Sequence, residues 1–88
     1  MPEDVTNRGR IDLTLIMHDK ILIIEFKLKK FGDAKKAIMQ IKEKGYPDKY
    51  VSYHKPIYLI GISFDTIERN VTELKVEQYE NSKNRFSQ

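Results

Sequence analysis

Residues 11–28, IDLTLIMHDKILIIEFKL, carry the strongest indication of the fold. Residues 11–17 are rich in Ile, Leu and Thr, and residues 21–28 begin with the unbroken apolar run ILII. Both compositions are typical of β-strands. The polar residues 18–20 between them suit a tight turn, so the segment predicts a β-hairpin. The apolar run also predicts that the second strand is buried on both faces in the middle of a sheet.

The next segment of the chain has the pattern of an amphipathic helix. Asp33 is suited to the N-cap position, because its side chain can accept a hydrogen bond from a free backbone amide. Gly45, with Pro47 soon after it, is the usual end of a helix. The apolar residues between these limits recur at i, i+3, i+4 and i+7, namely Ala34, Ala37, Ile38 and Ile41. A second short turn is expected over residues 48–53.

Two further strands are predicted after the helix. Residues 57–64 are almost entirely apolar and suggest a central strand, whereas residues 71–79 suggest a more exposed strand with Leu74 and Val76 facing inward. A strand–helix–strand passage requires a crossover, which makes the second and third strands parallel. We therefore expect an α/β fold with the order (β)ββαββ. It would be a mixed sheet with one flanking helix, and its other face would lack cover.

The overall composition limits the classes of function. With 88 residues, the chain is expected to form a single domain over residues 1–80, followed by a polar tail over residues 81–88. The lack of cysteine excludes disulfides, thiolate zinc sites and cysteine nucleophiles, and it fits a cytoplasmic protein. The longest wholly apolar run, residues 21–24, is far shorter than the roughly 20 residues of a membrane span, so a membrane protein is not expected.

The net charge of +3 and the lysine distribution leave two interpretations open. Eight of the lysines cluster between residues 27 and 49, which suits a face that binds a polyanion such as nucleic acid. An ordinary solvated surface explains the same composition equally well.

The predicted hairpin brings two acidic residues together. A turn centred on residues 18–19 places Asp12 directly opposite Glu25, with Cβ atoms about 4.5–5.5 Å apart. Two carboxylates at this distance repel each other unless a cation compensates. Mg²⁺ or Mn²⁺ suits this role, because two carboxylates, a backbone carbonyl such as that of Phe26, water and a phosphate are typical ligands. The two-residue repeat of a strand then places Lys27 beside Glu25, where it could hold a water molecule or neutralise a phosphate.

A purely structural explanation of these residues is also open. Asp12 could accept hydrogen bonds in the turn near Gly9, and Glu25 with Lys27 could be a surface ion pair worth about 0.2–1 kcal/mol. Against this, Glu25 and Lys27 adjoin a highly apolar run, where a charge without a purpose is costly. The residue chemistry therefore favours a functional acidic site.

Two short motifs resemble a known family. GRID at residues 9–12, followed by IEFK at residues 24–27, resembles the core signature of the PD-(D/E)XK nuclease superfamily. Over residues 3–79 the chain is similar to the nuclease domain at the C-terminus of predicted AAA-ATPase-like proteins. Gln40, Tyr46 and the IGISF strand at residues 60–64 contribute to this similarity.

The resemblance implies a restriction-endonuclease-like fold and hydrolysis of DNA phosphodiester bonds with Mg²⁺ or Mn²⁺. It assigns metal binding to Asp12 and Glu25 and a catalytic role to Lys27. Gln40 would support the site or contact the substrate, although it could equally be a solvated helix residue. A nuclease directed at RNA, and a catalytically silent module for nucleic-acid binding or assembly, are the alternatives.

The chain also departs from the family pattern. The superfamily fold normally opens with a helix before its first strand, and the chain begins too late to contain that helix or an ATPase portion. A fragment of a larger ATPase–nuclease protein, a truncated gene product, or a minimal form completed as a homodimer is therefore expected.

Several other residues are weaker candidates for the site. Arg8 and Arg10 could bind phosphate, although Arg10 could simply neutralise Asp12. His18 lies at the predicted hairpin tip, on the order of 20 Å from Asp12, and His54 is isolated, so neither is expected to bind metal. Tyrosines 46, 50 and 53 are expected to close the core rather than to stack on bases.

Overall fold

The computed structural model describes residues 10–80 and has the predicted order of elements. In chain order these are β1 (Arg10–Ile16), β2 (Ile21–Leu28), a 3₁₀ turn (Lys29–Phe31), α1 (Ala34–Glu43), a 3₁₀ helix (Tyr46–Tyr53), β3 (Ile57–Asp65) and β4 (Asn70–Tyr79). The predicted strands deviate from these bounds by one residue at most. Arg8, in the segment before β1, and the predicted tail over residues 81–88 lie outside the described residues.

The four strands form one mixed sheet in the order β1-β2-β3-β4. β1 and β2 are antiparallel, and the Met17 N–H donates to the Lys20 carbonyl at 2.8 Å to close the hairpin. β2 and β3 are parallel, as the intervening helix requires, and β3 and β4 are again antiparallel. The predicted topology is confirmed.

The core lies between α1 and one face of the sheet. Every second side chain of β2 and β3 is buried against the helix, starting with Ile21 and Ile57. The buried apolar side chains of this layer are Ile21, Ile23, Ile38, Ile41, Ile57 and Leu59. The remaining side chains of β2 are only half-buried. The prediction that β2 is buried on both faces is therefore wrong, because the described elements supply a helical layer on one face only.

A glycine sets how closely α1 approaches the sheet. A Cβ atom on Gly61 of β3 would lie 2.2 Å from the carbonyl oxygen of Ala34 in the first turn of α1. Only a residue without a side chain tolerates this distance. Gly61 also pairs with Glu25 in the sheet register, so the close approach brings the helix over the acidic residue.

The ends of α1 are fixed as the sequence predicts, with one addition. The Asp33 side chain accepts from the Lys36 backbone amide at 2.8 Å. The Ala34 amide donates to Glu73 of β4 at 2.9 Å, so a second carboxylate satisfies the N-terminus of the helix. Gly45 follows the C-cap with a φ of 71°, a left-handed conformation that glycine adopts without strain.

The 3₁₀ helix after α1 is hydrogen-bonded to the C-terminal end of β4. The Tyr79 hydroxyl donates to Asp48 at 2.7 Å. This hydrogen bond, together with burial, raises the pKa of Tyr79 above its usual value. No helix within the described residues is long and apolar enough to cross a membrane.

The sheet face opposite α1, here termed the open face, is apolar. Strand alternation assigns it the side chains that α1 does not cover, which include Leu13, Leu15, Leu22, Ile24, Phe26, Tyr58, Ile60, Ile62, Leu74 and Val76. Leu74 and Val76 are each 57% exposed, so the prediction that they face inward is wrong. They pair with Ile62 and Ile60 and share the face that lacks a helix among residues 10–80.

Candidate active site

The predicted acidic pair is present at the edge of the core. The register places Asp12 of β1 directly opposite Glu25 of β2, as counting from the turn predicts. Glu25 is fully buried, whereas the Asp12 side chain is 31% exposed. One carboxylate of the pair is therefore buried and the other is open to solvent on the edge strand β1, where a substrate could reach it.

Lys27 lies on the same face as Glu25 and is held by the helix. Its side chain is almost completely buried, and its Nζ donates to the Gln40 Oε1 at 2.9 Å. Gln40 reaches the site from α1, thirteen residues further along the chain. The structure thus brings together Asp12, Glu25, Lys27 and Gln40, the four side chains singled out by the sequence.

Two residues around Lys27 were not predicted. A Cβ atom on Gly32 would lie 2.8 Å from Cε of Lys27 and 2.9 Å from Cδ of Lys36, so the glycine leaves the space that both lysine chains use. Ser63, the β3 partner of Lys27, is buried and donates its hydroxyl to the Gly32 carbonyl at 3.2 Å. The sequence offers no local signal for the role of Ser63, because it depends on the parallel pairing of β2 and β3.

Lys44 and Tyr46 are further site residues that sequence reasoning missed. The Lys44 Nζ lies 3.7 Å from the Asp12 Oδ2 and 4.0 Å from the Glu25 Oε1. The Tyr46 hydroxyl donates to the same Asp12 oxygen at 3.2 Å, so Tyr46 does more than close the core. The available signal was spacing: Lys44 follows Gln40 by four residues and so occupies the same side of the helix.

Further lysines lie near the residues that contact the acidic pair and Lys27. The ammonium groups of Lys44 and Lys49 lie 5.5 and 5.3 Å from the centroid of the Tyr46 ring. The Lys36 side chain lies next to Gly32, as the Lys27 side chain does. We refer to Lys36, Lys44 and Lys49 as the basic rim. It adds positive charge to the surroundings of the two carboxylates and Lys27.

The donor set fits a divalent cation with few protein ligands. Asp12 and Glu25 provide hard carboxylate oxygens, and Mg²⁺ commonly combines one or two carboxylates with several waters. Among residues 10–80, no group of three or more His, Cys, Asp and Glu side chains is arranged to hold a metal. The remaining ligands would be water, substrate phosphate and a backbone carbonyl such as that of Phe26. The ammonium of Lys44 lies within 4.0 Å of both carboxylates, so a positive charge already neighbours this position.

Among the weaker candidates whose side chains the structure describes, only Tyr46 contacts this cluster. His18 lies in the hairpin turn, and His54 adopts a left-handed conformation at the end of the 3₁₀ helix. Tyr50 packs against the core as predicted. Tyr53, in contrast, packs beside the Tyr50 ring and remains 45% exposed, so the prediction that it closes the core is wrong. Arg8 lies outside the described residues.

Comparison with known proteins agrees with this architecture. A family model for the PD-(D/E)XK nuclease superfamily matches residues 1–74. Over 75 residues the chain is 40% identical to the "uncharacterized protein in vnfD 5'region" of Azotobacter chroococcum mcd 1. This match covers 85% of the chain but only 14% of that relative. No solved structure shows significant similarity to the chain.

The mixed sheet, with a helix connecting its two parallel central strands, is consistent with a restriction-endonuclease-like architecture. The family match, the architecture and the Asp12–Glu25–Lys27 arrangement agree with one another. The chain belongs to the PD-(D/E)XK nuclease superfamily.

Proposed function

We propose that this domain is a metal-dependent nuclease that hydrolyses DNA phosphodiester bonds. The observation that carries the proposal is the fully buried Glu25, directly opposite Asp12 and on the same face as Lys27. A purely structural surface ion pair would leave Glu25 in solvent. Nucleases of this superfamily generally use divalent metals, and the two carboxylates are suitable ligands for one.

In the proposed reaction each residue has a defined role. A water oxygen forms a bond to phosphorus, one P–O ester bond breaks, and the leaving oxygen takes up a proton. Asp12 and Glu25 would hold the cation, which supplies positive charge for the phosphate and activates water. Lys27, whose ammonium Gln40 holds in place, would orient the attacking water or neutralise a phosphate oxygen.

The basic rim supports nucleic acid as the substrate class. Lysines neutralise backbone phosphates without regard to sequence, and this contribution dominates nonspecific affinity. Lys44 lies within 4.0 Å of both carboxylates, Lys49 lies over the Tyr46 ring, and Lys36 lies next to Gly32 near Lys27. The rim therefore fits a phosphodiester backbone more closely than an uncharged substrate.

The test is plasmid cleavage by the purified protein with Mg²⁺ or Mn²⁺, compared with Glu25→Gln. The amide preserves the size of the buried side chain but removes the negative charge, so cleavage should fall by at least about a hundredfold. Glu43→Gln is the matched control, because it removes the charge of an exposed glutamate on α1. Cleavage by Glu25→Gln at the wild-type rate would contradict the assignment.

The alternative functions give different results in the same assay series. An RNA-directed nuclease would cleave a single-stranded RNA in preference to plasmid. A silent binding module would cleave neither, and calorimetry with Mn²⁺ would show no binding that depends on Asp12.

We further propose that the domain works as the nuclease part of a longer, cytoplasmic ATPase–nuclease protein. The chain spans only 14% of its relative from Azotobacter chroococcum, which supports a larger context. The ATPase connection rests on the sequence resemblance alone. A full-length homologue whose DNA cleavage is independent of ATP would contradict it.

We also propose that the isolated domain forms a homodimer through the open face. Four strands of about eight residues span roughly 26 by 19 Å, which is on the order of 500 Å² per copy. Two such faces bury about 1,000 Å², the lower limit for a specific interface. The face carries almost no charge, so two copies would not repel each other. A weak, concentration-dependent dimer is therefore expected.

A further inference from the structure

One feature of the site is not needed for binding a metal: a lysine ammonium lies between the two carboxylates. The Lys44 Nζ is within 4.0 Å of both Asp12 and Glu25, yet neither distance is short enough for a direct hydrogen bond. The Nζ atom is buried and has no hydrogen-bond partner among residues 10–80. Its environment is therefore defined by charge rather than by hydrogen bonding.

We propose that Lys44 is a resident counter-ion that stabilises the metal-free acidic pair and competes with the divalent cation for it. The proposal rests on the metal dependence proposed above. A fully buried carboxylate such as that of Glu25 is costly unless a positive charge lies nearby. Lys44 adds such a charge from the C-terminal end of α1 and lies within 4.0 Å of both carboxylates.

Formal charge explains why the two cations compete. Asp12 and Glu25 contribute two negative charges, and Lys27 and Lys44 contribute two positive charges, so the four side chains together are neutral. A divalent ion bound with Lys44 in place would leave the cluster with two excess positive charges. Lys44 must therefore withdraw, or a phosphate must arrive with the metal.

The position of Lys44 allows such a movement. It is the C-cap residue of α1, next to the left-handed Gly45, and its side chain is already 24% exposed. The Tyr46 hydroxyl continues to hold Asp12 when the ammonium leaves, because it donates to the carboxylate independently. The displaced ammonium would remain within the basic rim, where it can contact a substrate phosphate.

The experiment compares Mn²⁺ binding by calorimetry to wild-type protein and Lys44→Met after removal of metals with EDTA. Methionine keeps a similar length without the charge, so Lys44→Met should bind Mn²⁺ about fivefold more tightly or better. Lys42→Met is the matched control, because it removes the same charge from the same helix but from a lysine that pairs with Glu77. The control should bind Mn²⁺ as the wild type does.

Thermal melting gives a second readout that does not involve catalysis. In EDTA, Lys44→Met should melt at a lower temperature than Lys42→Met, because the acidic pair has lost a neighbouring positive charge. Saturating Mn²⁺ should raise the melting temperature of Lys44→Met more than that of the wild type. An equal shift in both proteins would contradict the proposal.

The outcomes separate this proposal from the proposed metal dependence. Equal or weaker Mn²⁺ binding by Lys44→Met would overturn the competition and leave the metal site intact. No Mn²⁺ binding by either protein would overturn both. If Lys44→Met does not fold, Lys44→Arg takes its place. Because arginine keeps the positive charge, the Kd of Lys44→Arg for Mn²⁺ should equal or exceed that of the wild type. Tighter Mn²⁺ binding by Lys44→Arg would contradict the proposal.

Discussion

At the scale of single residues, one segment of the chain supplies three partners to the acidic pair and its lysine. Gln40 accepts from Lys27, Lys44 lies between the two carboxylates, and Tyr46 donates to Asp12. Gln40 and Lys44 lie one helical turn apart, and Tyr46 follows at the start of the 3₁₀ helix. The C-terminal part of α1 thus positions the site that the hairpin carries.

Gln40 provides a test of this positioning role. Gln40→Ala removes the acceptor of the Lys27 ammonium, which is then free to adopt other rotamers, so the cleavage rate should fall on the order of tenfold or more. The fold should persist, since Gln40 is only half-buried. The measurement is kcat and KM for plasmid or oligonucleotide cleavage.

Met39→Ala is the control for Gln40→Ala, because Met39 is its exposed neighbour on α1. Its kcat should match that of the wild type. A Gln40→Ala protein that keeps the wild-type kcat would show that Lys27 does not need the amide.

At the scale of the elements, the distance between α1 and β3 determines whether these partners reach the strands. Gly61 permits the contact with the Ala34 carbonyl and lies beside Glu25 in the sheet. Glu73 of β4 additionally accepts from the first amide of the helix. The helix is therefore fixed at its N-terminal end by two strands, and its other end projects Gln40 and Lys44 over the acidic pair.

Gly61→Ala tests the close approach of α1 to β3. The substitution has two effects on the free energy of unfolding, and they have opposite signs. Strand propensity alone favours alanine by about 0.5–1 kcal/mol. The new Cβ would lie 2.2 Å from the backbone oxygen of Ala34, and such overpacking costs about 1–3 kcal/mol or more. We expect a net loss of stability in denaturant unfolding, together with reduced cleavage because α1 moves away from the strands.

Gly45→Ala is the comparison for Gly61→Ala. A Cβ at Gly45 meets no atom within 4 Å, and only its positive φ opposes alanine, at a cost of about 1 kcal/mol. Stabilisation by Gly61→Ala would show that α1 can shift without penalty.

At the scale of the whole molecule, the sheet has two different faces. One carries α1, the core and the candidate active site, and the other is the apolar open face. Leu74 and Val76 lie on the open face and are each more than half exposed, and monomeric soluble proteins rarely leave a large continuous apolar surface in solvent. The proposed homodimer would cover this face and leave the active site accessible in both copies.

Leu74→Glu tests the dimer, because a charge in the middle of an apolar interface is costly to bury. Light scattering over a concentration series should show dimerisation of the wild type and a dimer dissociation constant at least about tenfold weaker for the variant. Ile67→Glu is the control, because this 87% exposed residue lies in the turn between β3 and β4, outside the open face. A wild-type protein that remains monomeric at every concentration would contradict the homodimer and favour another segment of a longer chain as the cover.

The amino-acid sequence is sufficient to define the local structure and half of the site. Strand composition and the polar turn specify the hairpin, and a tight turn specifies the register, so the sequence alone places Asp12 and Glu25 opposite each other. The Asp33 cap and Gly45 likewise define the ends of α1. These features depend on neighbours in the chain or on a single tight turn, and such interactions follow from local geometry.

The tertiary structure, in contrast, establishes which face of the sheet α1 covers and which residues it brings to the acidic pair. Alternation divides a strand into two faces but does not say which one receives the helix, and for this reason the inward orientation expected for Leu74 and Val76 is wrong. In the sequence Lys44 is one of many lysines, and nothing local marks it as a neighbour of the acidic pair. The close contact at Gly61 fixes α1 over Glu25. The reason is physical: helix placement depends on packing between residues that are far apart in the sequence, and no local pattern encodes it.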